Sequence, residues 1–291
     1  LGGLRMIPKI SIYRIPFFLL LLLFAKPIYA EDGKLDSIRK ETKKPEKNKS
    51  ESSSNSSSRS SSSNDENDDV WDAFAGYILM GVYYVVTSPY TVPYHYWDDG
   101  FSEPLYFQTY PYYMSDSGFL SEEADYTQSF EVDSSVEGKI YRDHIYGVGV
   151  NLNLRTSFRL EMQGDYNFLE EKRSNGSTDS LYLGNANILF RFCQNRYLMM
   201  RSGLGMNFLH NDGGDNQYGF NFTYSLEAYP VKPLFLSARF DVGNLGHASY
   251  VRFRTSIGYV YKSFEVDAGI EIYNISGISL QGFSLGVKVY F

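Results

Sequence analysis

Four histidines, His95, His144, His210 and His247, are the side chains best suited to proton transfer near neutral pH. In Gly246-His247-Ala248-Ser249 a histidine stands two residues before a serine. That pairing lets an imidazole activate a hydroxyl oxygen for nucleophilic attack. A carboxylate must then orient the imidazole, and Glu265 or Glu271 are the candidates. Asp143 beside His144, and His210 near Asp212 and Asp215, offer the makings of an Asp–His couple. The stretch Asn211 to Asn216 is rich in oxygen ligands but lacks the ordered spacing of a calcium loop. Cys193 stands alone, so neither an internal disulfide nor zinc-type Cys/His spacing exists. It reads as a small buried or lipid-facing apolar residue. Two residues at one spacing arise by chance, and Asn, Asp and Gly clusters are ordinary turn formers. We therefore assign no catalytic, cofactor-binding or metal-ligating residue from the sequence.

The elements that would carry these residues are clearer than the chemistry. Phe283, Leu285, Val287, Val289 and Phe291 fall on one side of a period-2 strand, with Ser284, Gly286, Lys288 and Tyr290 on the other. Such segments recur backwards through about 165 residues at intervals of about 13–20. The first is Tyr126 to Val136. The next eight centre on 146–154, 158–168, 182–192, 198–208, 220–226, 234–242, 251–261 and 264–272, and the C-terminal strand is the tenth. One face of each is apolar. The opposite faces collect Glu131, Asp133, Glu161, Asp165, Glu227, Asp241, Glu265, Asp267 and Glu271. Arg159, Arg191, Arg201, Arg239, Arg252, Arg254 and Lys288 lie on the same side. Near-balanced charge there predicts mutual pairing in place of one open ion path.

Connections are expected to alternate between tight turns (Arg155-Thr156, Gln194-Asn195, Tyr229 to Pro233, Tyr261-Lys262) and longer ones (Glu170 to Asp179, His210 to Asn216, Asn244 to Ala248, Asn274 to Gly277). In water such continuous apolar faces would aggregate, whereas lipid requires them. The expected fold class is all-β, an antiparallel transmembrane β-barrel of ten strands. Eight is the alternative if the weak first segment drops out.

Upstream of the barrel region the 291-residue chain has accessory segments to place. Met6 to Ala30 has a basic start (Lys9, Arg14), a short apolar core (Phe17 to Ala25) and a cleavage-type end (Ile28-Tyr29-Ala30), so residues 1–30 read as a signal peptide with upstream residues. Removing them takes away Arg5, Lys9, Arg14 and Lys26 and no acid. The exported chain then has 23 basic against 34 acidic residues, a net charge of −11. Nucleic acid is excluded as a partner on that balance.

Residues 31–69 are charged and Ser-rich and read as a disordered periplasmic tether. Residues 70–123 are aromatic and broken by Pro89 and Pro93. A short helix is expected from Val70, better suited to the membrane interface than to spanning it. The rest of that segment is expected to be irregular, packed at the periplasmic mouth or into the lumen. With 26 Tyr and 21 Phe, the composition suits a lipid–water boundary.

From residue 124 to 291 the chain resembles the superfamily of small bacterial outer-membrane β-barrel proteins, most specifically in Phe283, Leu285, Val287, Val289 and Phe291. The resemblance implies that the barrel assembly machinery reads this terminal pattern as a folding partner. Gly246 to Ser249 superficially resembles the His-x-Ser arrangement of outer-membrane lipid A deacylases, and ten strands with Asp–His pairs are similar to the omptin proteases. Flanking residues extend neither match. The expected protein is a monomeric outer-membrane barrel with a structural or binding role, its lumen largely filled by paired charges. Its partners are outer-membrane lipid, the assembly machinery and a periplasmic partner reached through residues 70–123; no cofactor is implied. The alternatives are a narrow solute channel and, after it, a deacylase-like or omptin-like envelope enzyme.

Overall fold

A computed structural model describes residues 33–43, 83, 87–99, 105–113, 116, 118–121, 127–211 and 216–291. The expected signal segment lies outside the described residues. Among those described, ten strands form one closed barrel: β4 (Phe130–Tyr141), β5 (Ile145–Thr156), β6 (Leu160–Lys172), β7 (Thr178–Gln194), β8 (Leu198–His210), β9 (Gln217–Ala228), β10 (Leu234–Leu245), β11 (Ala248–Tyr261), β12 (Phe264–Ile275) and β13 (Ile278–Tyr290). Each pairs antiparallel with its sequence neighbours, and β13 closes on β4 through Val287↔Val136 and Tyr290↔Asp133. The ten-strand expectation holds. The first strand begins at Phe130 and runs to Tyr141, later than the segment expected from Tyr126 to Val136.

Period-2 alternation decides which side chain meets which solvent. Along β13, Phe283 and Leu285 point out at 70% and 65% exposure, while Ser284 and Lys288 are buried. Along β4, Phe130, Val136 and Ile140 point out, and Glu131, Asp133 and Glu137 point in. Tyr166 packs beside Tyr182 and Phe208 on the outer wall, with ring centroids 5.8 and 6.0 Å away. Tyr259, Tyr261 and Phe264 are exposed near the other rim, so aromatic girdles stand at both margins of the apolar wall. In hydrocarbon every backbone N–H and C=O needs an internal partner, which a closed sheet supplies and an open one does not. This is an outer-membrane-type β-barrel.

Because ten is even, the barrel begins and ends at one rim. We call this the near end; it carries the connections 157–159, 195–197, 229–233 and 262–263. The far end carries 142–144, 173–177, 211–216, 246–247 and 276–277. The expected contrast between short and long connections is thus corrected. Strands run on through Asp179, Asn244 and Asn274, because ladder hydrogen bonds form from the backbone whatever the side chain. Ser276 (φ 47°) and Gly277 (φ 90°) close a two-residue hairpin, and positive φ at both positions gives the twist flanking strands need.

Both rims are covered. Residues 34–43, expected within the disordered tether of 31–69, instead form helix α1 (Lys34–Lys43) at the far end; the remainder of that tether lies outside the described residues. At the near end, residues 87–97 are helical and pack outside the barrel, Tyr90 against Phe192 and Tyr224; the helix expected from Val70 lies, but for residue 83, outside the described residues. Beyond them, β1 (Tyr106–Gln108), β2 (Leu120–Ser121) and β3 (Thr127–Gln128) form a small sheet in the order β2-β1-β3.

Gly205 shows how closely the strands approach. A Cβ built there would lie 2.1 Å from the Ala186 carbonyl oxygen across the β7–β8 ladder. At outward-facing Gly138 it would meet nothing within 4 Å. Gly205→Ala should therefore destabilise the barrel by about 1–3 kcal/mol and Gly138→Ala hardly at all, as read by the denaturant midpoint at which heat-modifiable migration is lost.

Candidate functional site

The interior is the chemically dense part of the molecule. Facing each strand inward at alternate positions puts ionised groups in a space too narrow for bulk water, so each must find its counter-charge among the others. Near the near end Arg155, fully buried, donates to Glu131 at 2.7 Å, to Asp133, and to Glu227 at 3.3 Å. Arg201 joins Glu161 at 3.1 Å and Glu227 at 2.5 Å, and donates to the Ser225 hydroxyl at 2.9 Å. Lys288 reaches Glu265 at 3.2 Å, and the Tyr290 hydroxyl donates to the same carboxylate.

A second web sits further up. Arg252 bridges Glu271 at 2.5 Å and Asp165 at 2.8 Å; Arg239 holds Asp165 at 3.1 Å and Asp241 at 2.9 Å. Lys139 and Tyr141 both donate to Glu271, at 2.9 and 2.5 Å, and Arg254 binds Glu137 at 2.6 Å. Among these groups lies a lumen cavity of about 70 Å³, lined by Ser135, Asn151, Gln163 and Ser256 among others, room for a few waters.

Above and below these webs the inward face turns apolar. At the far end Leu169, Leu181, Leu183, Leu209, Leu245, Tyr250 and Ile275 point inward, and Leu35 and Ile38 of α1 fill the ring they form. Both are fully buried, which stabilises the docked helix by about 1.5–3 kcal/mol per side chain. The first turn of a helix leaves backbone donors without partners. Here the Glu171 carboxylate accepts from Gly33 N at 2.9 Å, Lys34 N at 3.0 Å and Leu35 N at 3.0 Å, placing negative charge at the positive end of the helix dipole. Lys34 pairs with Asp143 at 2.5 Å, Arg39 with Asp179 at 2.8 Å, and His247 N donates to Thr42 O at 3.0 Å. Two far-end connections and the first turnward residues of β7 thus stitch the helix down.

At the near end Leu105, Phe107, Tyr112, Phe119 and Leu120 pack against Met199, Tyr229, Phe235, Val260 and Tyr290. Arg191 lies over the Phe107 ring at 4.7 Å, and Arg155 over Phe119 at 5.7 Å, so the plug meets the charged web through cation–π contacts. Tyr112 donates to Leu234 O at 2.6 Å, and burial pushes its hydroxyl up to about 12. Beside it, Tyr110 to Tyr113, Lys232, Pro233 and Tyr259 to Lys262 line a surface groove of about 390 Å³.

The residues best suited to chemistry are dispersed. His247 and Ser249 sit exposed at the far rim, where the His247 backbone serves α1. Glu265 lies at the near end, bound to Lys288, and Glu271 is held in the lumen by Arg252, Lys139 and Tyr141. His144 occupies a positive-φ turn with Asp143, whose carboxylate binds Lys34. His210 Nδ1 contacts Asn216 Oδ1 at 2.5 Å and its ring packs against Tyr182; Asp212 and Asp215 lie outside the described residues. His95 is exposed on the 87–97 helix. No described group of three or more His, Cys, Asp or Glu is placed to hold a metal. Cys193 is buried under that helix, its Sγ 3.4 Å from Pro93 O.

Sequence reasoning missed α1 and the inward apolar rings. A signal existed: Leu181, Leu183, Leu209, Leu245 and Leu280 occupy inward positions, where a water-filled lumen has no use for them.

No protein-family model matches the chain, and no curated protein matches it. Solved structures similar to it include the N-terminal β-barrel domain of Pseudomonas aeruginosa OprF (15% identity, 55% of this chain and 97% of that one, TM-score 0.28). Neisserial surface protein A is 15% identical over 56% of this chain and 98% of that one, at a TM-score of 0.29. The Yersinia pestis attachment invasion locus protein Ail is 14% identical over 56% and 97%, at 0.25. The membrane assignment rests on the chain's own barrel and its apolar wall.

Arg155→Leu would strand Glu131 and Asp133 beside an uncharged side chain, while Glu227 keeps Arg201, at a cost of about 3–5 kcal/mol. Removing the exposed Lys40–Asp36 pair by Lys40→Ala should cost under about 1 kcal/mol; urea unfolding of the lipid-reconstituted protein would compare them. Glu171→Gln keeps the size of the cap but removes its charge, so α1 amides should exchange hydrogen about tenfold faster, a loss of about 1–2 kcal/mol, while barrel amides stay protected.

Proposed function

We propose that this protein is a sealed outer-membrane barrel with a structural or binding role, its two covered rims serving as its working surfaces. The observation that carries this reading is the interior itself. Charge pairs interlock across the lumen between two apolar caps, and a cavity of about 70 Å³ lies among them. A conduction path would need several of these pairs separated, each at a cost of several kcal/mol. Scattered placement of the histidines and their would-be partners argues against deacylase-like or omptin-like chemistry among the described residues.

Its partners follow from the two rims and the outer wall. Outer-membrane lipid covers the wall. The exposed side chains of Phe283, Leu285, Val287 and Phe291, with half-buried Val289, form the terminal stripe that the barrel assembly machinery would read during insertion from the periplasm. A periplasmic partner would be met through residues 70–123, where Tyr110, Tyr113 and Lys232 line the near-end groove. Aromatic faces with a cation at the edge suit carbohydrate or an anionic group, since rings stack and the ammonium pairs. The chain is proposed to act as a monomer.

The test is conductance. Wild-type protein in planar bilayers should give no stable steps above the lipid baseline. Leu35→Asp with Ile38→Asp, which unseats α1, should still give none, because the charge webs beneath remain. Steady single-channel steps from the wild type would replace this reading with the narrow-channel one.

A further inference from the structure

The near-end groove is made of few residue types. One side comes from Tyr110 to Tyr113 of the plug, the other from Lys232, Pro233 and Tyr259 to Lys262 at the β11–β12 turn. None of its described lining residues is Asp, Glu, Asn or Gln. Sugar hydroxyls donate as well as accept, so a site for them needs carboxylate or amide acceptors. An anion needs only donors, which tyrosine hydroxyls and ammonium groups supply. Stacking on a sugar ring is poorly served too, because Tyr110 and Tyr113 meet edge to face, centroids 4.8 Å apart at 77°, and pack on each other. At about 390 Å³ the space falls within the roughly 300–1,000 Å³ of small-molecule sites.

Two cations stand at the edge of this groove, and both are exposed. Lys232 Nζ donates to Tyr112 O at 3.3 Å, which holds the ammonium beside the plug and leaves it further donors. Lys262 Nζ lies 5.7 Å from the Tyr261 ring centroid. Its backbone has φ 55°, a left-handed position that glycine fills with less strain. A lysine is thus kept at the turn against backbone preference. The chain as a whole is acidic, at a net −7, so any attraction for an anion here is local. Exposed charges beyond about 8–10 Å are screened at physiological salt.

One wall of the groove is also barrel wall. Tyr259 and Tyr261 are 56% and 64% exposed on the lipid-facing side. Tyr259 pairs with Leu234 across β10 and β11, and Ile257 pairs with Leu236 further from the rim. Leu234, Leu236 and Ile257 are exposed as well, so an apolar track leads from the groove into the hydrocarbon. Cations at the rim, aromatic rings below them and aliphatic side chains below those match a lipid that is charged at its head and apolar beneath.

We propose that this groove binds one anionic phospholipid of the near-end leaflet, with Lys232 and Lys262 on its phosphate and an acyl chain along Leu234, Leu236 and Ile257. The inference rests on the reading of the near-end groove as a working surface and narrows its occupant to a lipid. The test is lipid retention by the full chain in detergent, read by native mass spectrometry after adding phosphatidylglycerol or phosphatidylcholine. Wild type should hold one phosphatidylglycerol about tenfold tighter than phosphatidylcholine, since each lysine at the surface favours an anionic headgroup. Lys232→Gln with Lys262→Gln should remove that preference, whereas Lys40→Gln at the far end should keep it; heat-modifiable migration checks that both variants fold. Equal retention of the two lipids by the wild type, or a preference unchanged in the double variant, overturns the proposal. Displacement of bound phosphatidylglycerol by inorganic phosphate at comparable concentration would mean a site for a soluble anion, and overturns it too. Steady conductance with the lipid preference kept defeats the sealed barrel and supports this site, while equal retention with silent bilayers defeats the site alone.

Discussion

A sheet that presents hydrocarbon-facing side chains on one surface has nowhere to leave an unpaired edge, and the rest of this molecule follows from that constraint. Closure of β13 on β4 removes the last edge. Once the ring is closed, alternation forces every second residue inward, and lipid forbids the charged ones from the outside. Ionised groups therefore collect in the interior, where low dielectric makes an unpaired one costly and a paired one tightly held. The interlocked webs around Arg155 and Arg252 are the consequence.

The two caps extend the same logic to the rims. An interior charged from end to end would hydrate at its mouths and admit water to the pairs. Inward leucines at the far end and Phe235, Tyr229 and Tyr290 at the near end create apolar rings instead. An apolar ring facing water needs a cover, supplied by Leu35 and Ile38 on one side and by Phe107 and Phe119 on the other. Glu171 orients the first cover by completing the helix start, so one inward carboxylate joins the barrel rim to a segment more than a hundred residues away.

Strand number, strand faces and the inward charges were legible because period 2 is local: Phe283 to Phe291 carries its own assignment. The boundaries were less so. Asp179, Asn244 and Asn274 look like turn residues, yet they continue strands because ladder bonds use the backbone alone. Helix α1 was hidden by its neighbours. Lys34 to Lys43 has only Leu35 and Ile38 as large apolar residues, too few to fold unaided, and its stability comes from a barrel rim that no window of sequence contains. Dispersal of His247, Glu265 and Glu271 was equally invisible, since two of them face different ends of a lumen whose register only the closed sheet defines.

The central claim is that lipid is the solvent of the outer wall. It is tested most directly by spin labels at Leu204, Ile257 and Leu285, each introduced by cysteine substitution in bilayer-reconstituted protein. Collisions with dissolved oxygen, which concentrates in hydrocarbon, should exceed collisions with a water-soluble nickel chelate at all three sites. Dominant collisions with the nickel chelate there would mean that water bathes this surface, and the account would be wrong.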